Sequence, residues 1–91
     1  MRYGLHCFIF SVILLKCSSL FAFESQKFVE ANILYSESKY EKALKTYRDL
    51  EKSELESASL YYNMGNTHFR LSNIGYSILY YKKALRLNPL D

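Results

Sequence analysis

From Glu24 onward, apolar residues recur every three or four positions. That is the spacing of one buried stripe on an α-helix. Phe28, Ala31, Leu34 and Tyr35 form the first stripe, and the polar run Ser36-Glu37-Ser38-Lys39 breaks it. Tyr40, Ala43, Leu44, Tyr47 and Leu50 form the second, with Glu41, Lys42, Lys45, Arg48 and Asp49 on its solvated side. The polar stretch Lys52 to Ser57 links these helices to a second pair. A third helix is predicted from about Ser57 to Leu71, with Tyr61, Met64, Gly65, His68 and Leu71 on one side and Tyr62, Asn66, Phe69 and Arg70 around the other. Ser72-Asn73 makes the next turn, and the fourth helix carries Ile74, Ser77, Ile78, Tyr81, Ala84 and Leu85. Asn88-Pro89 ends it, because proline lacks an N–H donor and disfavours the helical conformation in the residue before it.

The two pairs are copies at a spacing of about 34 residues, within the range that marks stacked helical repeats. Tyr40–Tyr47 falls on Ile74–Tyr81, Ala31-Asn32 on Gly65-Asn66, and Phe28 on Tyr62. Gly65 lies mid-helix, where glycine costs about 1 kcal/mol relative to alanine. Its presence predicts a close approach by another helix, and Ala31 at the matching place agrees. The fold class expected is all-α: two tandem helix-turn-helix pairs forming a short α-solenoid, preceded by a separate N-terminal segment.

That segment, residues 1–23, has no helical period. Cys7 to Leu15 is an unbroken apolar run, followed by small Ser18, Ser19 and Ala22 and then polar Glu24-Ser25-Gln26-Lys27. The order matches a secretory signal cleaved between Ser19 and Glu24. The competing reading is a retained membrane anchor. Leu5 to Phe23 would span about 28 Å as a helix at 1.5 Å per residue, close to a bilayer core, but Lys16 within it opposes insertion. Lipid attachment at Cys17 is disfavoured because bulky Lys16 stands where a small residue is needed. Both cysteines, Cys7 and Cys17, lie in this segment. If it is removed, the folded part has no thiol for a disulfide or a zinc site.

Composition narrows the function. Hydrophobic residues make up 49% of the 91-residue chain, too many for a disordered segment. The net charge is +3, but from Glu24 onward ten Lys/Arg stand against nine Asp/Glu, with both signs interspersed. No basic stripe marks a nucleic-acid surface. His68 is the only histidine outside the N-terminal segment and is expected in the core or a helix seam. No acid/base pair, Gly-rich phosphate loop or metal-ligand cluster is apparent. No enzyme activity, cofactor, catalytic residue or metal is expected.

Tyr61-x-x-Met64-Gly65-x-x-His68, followed by Ser77, Tyr81, Ala84 and Pro89, resembles the tetratricopeptide repeat. The resemblance covers Ala58 to Asp91 closely and Glu24 to Ser57 less so. Departures are His68 where the pattern prefers Tyr, Ser77 where it prefers Ala, and Leu55 where it prefers Pro. With the export address, Ala31-Asn32-x-Leu34-Tyr35, Tyr61–Thr67, Asn73-Ile74-Gly75 and Ile78–Pro89 also resemble the repeat region of the BatE branch of the bacterial Bat aerotolerance-operon proteins. The domains expected are residues 1–23 as signal or anchor, 24–57 as a divergent first repeat, and 58–91 as the second.

The resemblance implies a binding module. The first helices of its pairs would line a concave groove, here with Phe28, Asn32, Tyr35, Tyr62, Asn66, Phe69 and Arg70. Exposed aromatics beside amides suit a partner's extended segment or helix, although Tyr62 and Phe69 could instead seal the seam between repeats. Some family members grip a carboxylate, but Phe28 and Tyr62 stand where those proteins have a cation. The branch implies a periplasmic or inner-membrane location, other Bat proteins as partners and a role in oxidative-stress tolerance. The alternatives are a membrane-anchored structural adaptor and a truncated fragment. Stacked repeats need neighbours, so Leu87 and Leu90 at the open end raise the expectation of self-association.

Overall fold

The computed structural model describes residues 23–53 and 56–89. Four helices run through them: α1 over residues 23–36, α2 over Tyr40–Lys52, α3 over Ala58–Arg70 and α4 over Ile74–Leu87. The tandem pairing expected from the repeat period is present, with α3 packed on α4 within its pair and on α2 across pairs. Residues 1–22, with the signal, anchor and Cys17 readings, lie outside the described residues, as do Leu55 and Leu90. Phe23 already belongs to α1. Among the described residues, no helix is long and apolar enough to cross a membrane.

The two hairpin turns are built alike. Ser38 and Ser72, at matching places in the two repeats, are the two non-glycine residues with positive φ among those described, at 63° and 64°. In each turn the serine N–H returns to the carbonyl three residues back, Tyr35 or Phe69. The next N–H, of Lys39 or Asn73, reaches five residues back to Leu34 or His68. This 6→1 and 5→2 pair satisfies carbonyls that a helix end otherwise leaves open. α3 starts differently. Ser57 is extended, and its side chain accepts the Leu60 N–H at 3.3 Å, a side-chain N-cap.

One core joins the pairs. Ala31, Ala43, Leu44, Tyr47, Leu50, Leu60, Tyr61, Met64, Tyr80 and Ala84 are buried together. Phe28, Leu34, Tyr35 and Leu71 pack against them while partly exposed. Ser77 is buried too, and its hydroxyl donates to the Gly65 carbonyl at 2.9 Å. That bond satisfies the polar group of a residue standing where the repeat prefers alanine.

The close approach expected at Gly65 is made by α4, through a side chain: a Cβ there would sit 2.6 Å from the Tyr81 ring. One expectation changes: the α4 stripe splits. Ser77 and Ala84 are buried and Tyr81 is half-buried, but Ile74, Ile78 and Leu85 are about half exposed. Tyr80, which the stripe omitted, is buried instead. The reason is coverage. The second pair lies over α2, and no described element lies over the matching side of α4.

Tyr80 belongs to the joint between pairs. Its hydroxyl donates to Glu51 Oε1 at 3.0 Å, and Lys83 Nζ lies 4.0 Å from the other carboxylate oxygen. The Lys83 ammonium also sits 4.8 Å from the Tyr80 ring centroid and 5.5 Å from that of Tyr61. Burial, with the nearby Glu51 carboxylate, pushes the Tyr80 phenol up to about 12.

Candidate functional site: the face of α1 and α3

The seven groove residues come from α1 and α3, the first helices of the two pairs. Two of them, Asn32 and Asn66, are held in matching ways. Tyr47 Oη donates to Asn32 Oδ1 at 2.5 Å, and Tyr81 Oη donates to Asn66 Oδ1. Each phenol lies 15 residues after its amide. The Tyr47 phenol is pushed up to about 12, mainly by burial, so it remains a donor through neutral pH. A phenol O–H needs an acceptor, so each amide is turned with its oxygen toward the second helix of its pair. The Nδ2 groups then carry the remaining donors of this face. Asn32 Oδ1 accepts a second bond, from Asn63 Nδ2 at 3.0 Å, which ties the pairs together.

The aromatic residues are placed unevenly. Phe28 and Tyr35 are half-buried; Phe28 meets Tyr47 edge-on at 6.1 Å and Tyr35 meets Tyr40 at 5.3 Å. Tyr62 and Phe69 are 56% and 58% exposed. Tyr62 lies 5.7 Å from the Tyr81 ring, a copy of the Phe28–Tyr47 contact. Arg70 is exposed and makes a long 3.4 Å bond from Nε to the Tyr35 hydroxyl, across the pairs. The face is therefore a strip of aromatic rings and oriented amides, with Arg70 as its cation.

His68 lies on the opposite side of α3, 1% exposed and stacked between Tyr76 and Tyr80 at 5.2 and 5.3 Å. Burial holds its pKa below the usual 6.5; the Arg48 charge lowers it further and Glu51 opposes. Asn73 Nδ2 lies 3.4 Å from its Nδ1. Among the described residues, no group of three His, Cys, Asp or Glu could hold a metal ion.

Sequence reasoning misses the phenols of Tyr47 and Tyr81 as parts of this site, because both read as core residues. Their signal is an Asn and a Tyr 15 residues apart, present in both repeats.

Comparison with known families detects repeats in both helix pairs. A model described as tetratricopeptide repeat matches residues 58–90. A second, described as TPR repeat, matches residues 31–72. No curated protein matches the chain.

Proposed function

Because the chain carries tetratricopeptide repeats, we propose that it is a protein-interaction module whose α1/α3 face receives an extended segment of a partner protein. The carrying observation is the exposed pair Tyr62 and Phe69 beside Asn66, whose oxygen is already engaged by Tyr81. A strip of this kind offers apolar contact and N–H donors, which suit a peptide backbone rich in carbonyl acceptors. Aromatic anchors carry most of the energy in such interfaces. The test is partner capture by Tyr62→Ala combined with Phe69→Ala. Retention should fall at least about tenfold, since two anchors each contribute above about 1 kcal/mol. Helical circular dichroism should be unchanged, because both side chains are more than half exposed. Undiminished capture by the folded variant would remove this face from the function.

We further propose that the chain is exported and works in the bacterial envelope alongside other Bat proteins. This finer reading rests on the apolar run Cys7–Leu15 with its small-residue boundary and on the sequence resemblance. N-terminal sequencing of the mature protein checks the export step. A start near Glu24 supports a cleaved signal, and a start at Met1 supports the anchored adaptor. Cross-linking in the native host to a non-Bat partner alone would defeat the Bat reading.

A further inference from the structure

Charge is mixed along the chain but separated in the fold. α2 carries Lys42, Lys45, Arg48 and Lys52 against three acids, Glu41, Asp49 and Glu51. α4 carries Lys82, Lys83 and Arg86 and no acid. The second helices of the pairs thus hold seven cations against three carboxylates, a net charge of +4. The other described residues hold three cations, Lys27, Lys39 and Arg70, against four carboxylates, a net charge of −1. Two of the α2 acids are also engaged. Asp49 pairs with Lys27 of α1 at 3.5 Å, and Glu51 accepts the Tyr80 hydroxyl and faces Lys83.

The cations recur at matching positions. A shift of 34 residues places Arg48 on Lys82 and Lys52 on Arg86, so each second helix presents two cations four residues apart on one side. All four are exposed. On α4 they follow Tyr76 and Leu79 at helical spacing, and these are 58% and 44% exposed. This stripe is the outer side of α4. Its counterparts on α2, Lys42, Lys45, Arg48 and Lys52, stay exposed although α3 packs on that helix. Stacking of a neighbouring pair therefore does not cover this side. Glu51 ties α2 to α4, so the two outer sides adjoin.

We propose that the outer side of α2 and α4 docks on an anionic lipid surface, with Leu79 and Tyr76 entering the headgroup layer and the surrounding cations meeting lipid phosphates. Each Lys or Arg close to an anionic bilayer adds attraction. A helix that sets leucine and aromatic residues among cations lies in the plane of the interface. Tyrosine suits that depth, with its ring at the apolar boundary and its hydroxyl toward water. Lysine stems lie along apolar surface while their ammonium groups reach outward. A nucleic acid would use the cations but gives the exposed Leu79 no role. The surface shares no residue with the α1/α3 face, so the two can be occupied at once.

The test is flotation of the full chain with vesicles of phosphatidylcholine alone and of equal parts phosphatidylcholine and phosphatidylglycerol. The ratio of the two partition coefficients is read, because the apolar run Cys7–Leu15 contributes to both. The parent chain should favour the anionic vesicles at least about tenfold, and added salt should shrink that preference. Lys82→Glu with Arg86→Glu should remove most of it. Arg70→Glu, an equal change of charge per residue on the other face, should leave it within about twofold. Leu79→Ser should weaken binding to the anionic vesicles about three- to tenfold. Circular dichroism checks that each variant keeps its helices. Equal partition of the parent chain into both vesicles would overturn the proposal. So would a preference that survives the Lys82/Arg86 reversal, one that Arg70→Glu reduces as much, or one that Leu79→Ser leaves unchanged. Capture of duplex DNA through Lys82 and Arg86, without a vesicle preference, would assign the surface to nucleic acid instead.

Discussion

Gly65 and Gly75 both sit inside helices, yet they answer opposite questions about the same residue type. A Cβ at Gly65 would lie 2.6 Å from two atoms of the Tyr81 ring, whereas a Cβ at Gly75 meets nothing within 4 Å. Alanine gains up to about 1 kcal/mol over glycine in a helix, but overpacking costs about 1–3 kcal/mol. Gly75→Ala should therefore raise the melting temperature and Gly65→Ala should lower it, in parallel thermal melts. The Tyr81 ring cannot retreat freely, because its hydroxyl is tied to Asn66. His68 gives a second prediction at this scale. Its pKa is held below the usual 6.5 in the folded chain. As pH falls below about 6.5, the unfolded chain takes up a proton that the folded chain resists. The His68 contribution is therefore fully present above that pH and lost below it, down to the folded pKa. The fall in melting temperature between pH 7.5 and 5.5 should shrink in His68→Gln. An equal fall in both proteins would show that His68 is not the group responsible.

At the scale of elements, the two hairpin turns place Ser38 and Ser72 in left-handed backbone that an L-residue adopts at a cost of about 1–2 kcal/mol. Glycine carries no such penalty. Ser72→Gly should stabilise the chain by about 1 kcal/mol, or about 4–8 °C for a domain of this size, in a thermal melt. No change would mean that the serine already relaxes out of the left-handed region in solution. These turns also mark how far the sequence could be read. Helix existence and order followed from the 3–4 spacing of apolar residues, and Pro89 and Ser72-Asn73 gave the ends closely. The turn conformation was not readable, because serine is not a usual left-handed residue. Nor was the burial of Tyr80 over Ile74, Ile78 and Leu85 on α4. Periodicity reports which residues could face a core, whereas burial depends on which face a neighbour covers. Of the candidate site, the positions on α1 and α3 were legible. The phenol–amide pairs that orient Asn32 and Asn66 were not, since they join residues of different helices.

Across the whole molecule, a stack of repeats gains its stability from each unit's own packing and from the seams between neighbours. Among the described residues those terms separate, because α3 covers one seam and no described helix covers its copy on α4. Leu44 and Ile78 occupy the same helical position in successive repeats, one 5% and the other 50% exposed. Both are branched aliphatic residues at matching positions of the second helix of their pair, so truncation to alanine removes a similar volume. What differs is the helix lying over them. Leu44→Ala should cost about 2–5 kcal/mol, as for a buried leucine that leaves a cavity. Ile78→Ala should cost less than about 1 kcal/mol, as for a surface position, with part of that offset by the better helix propensity of alanine. Urea unfolding of both variants, with slopes equal to that of the parent chain, measures the two values on one scale. Equal costs would mean that the seam contributes little and that each pair stands mainly on its own packing. A large gap would mean that the seam, not the single pair, is the unit that holds this fold together.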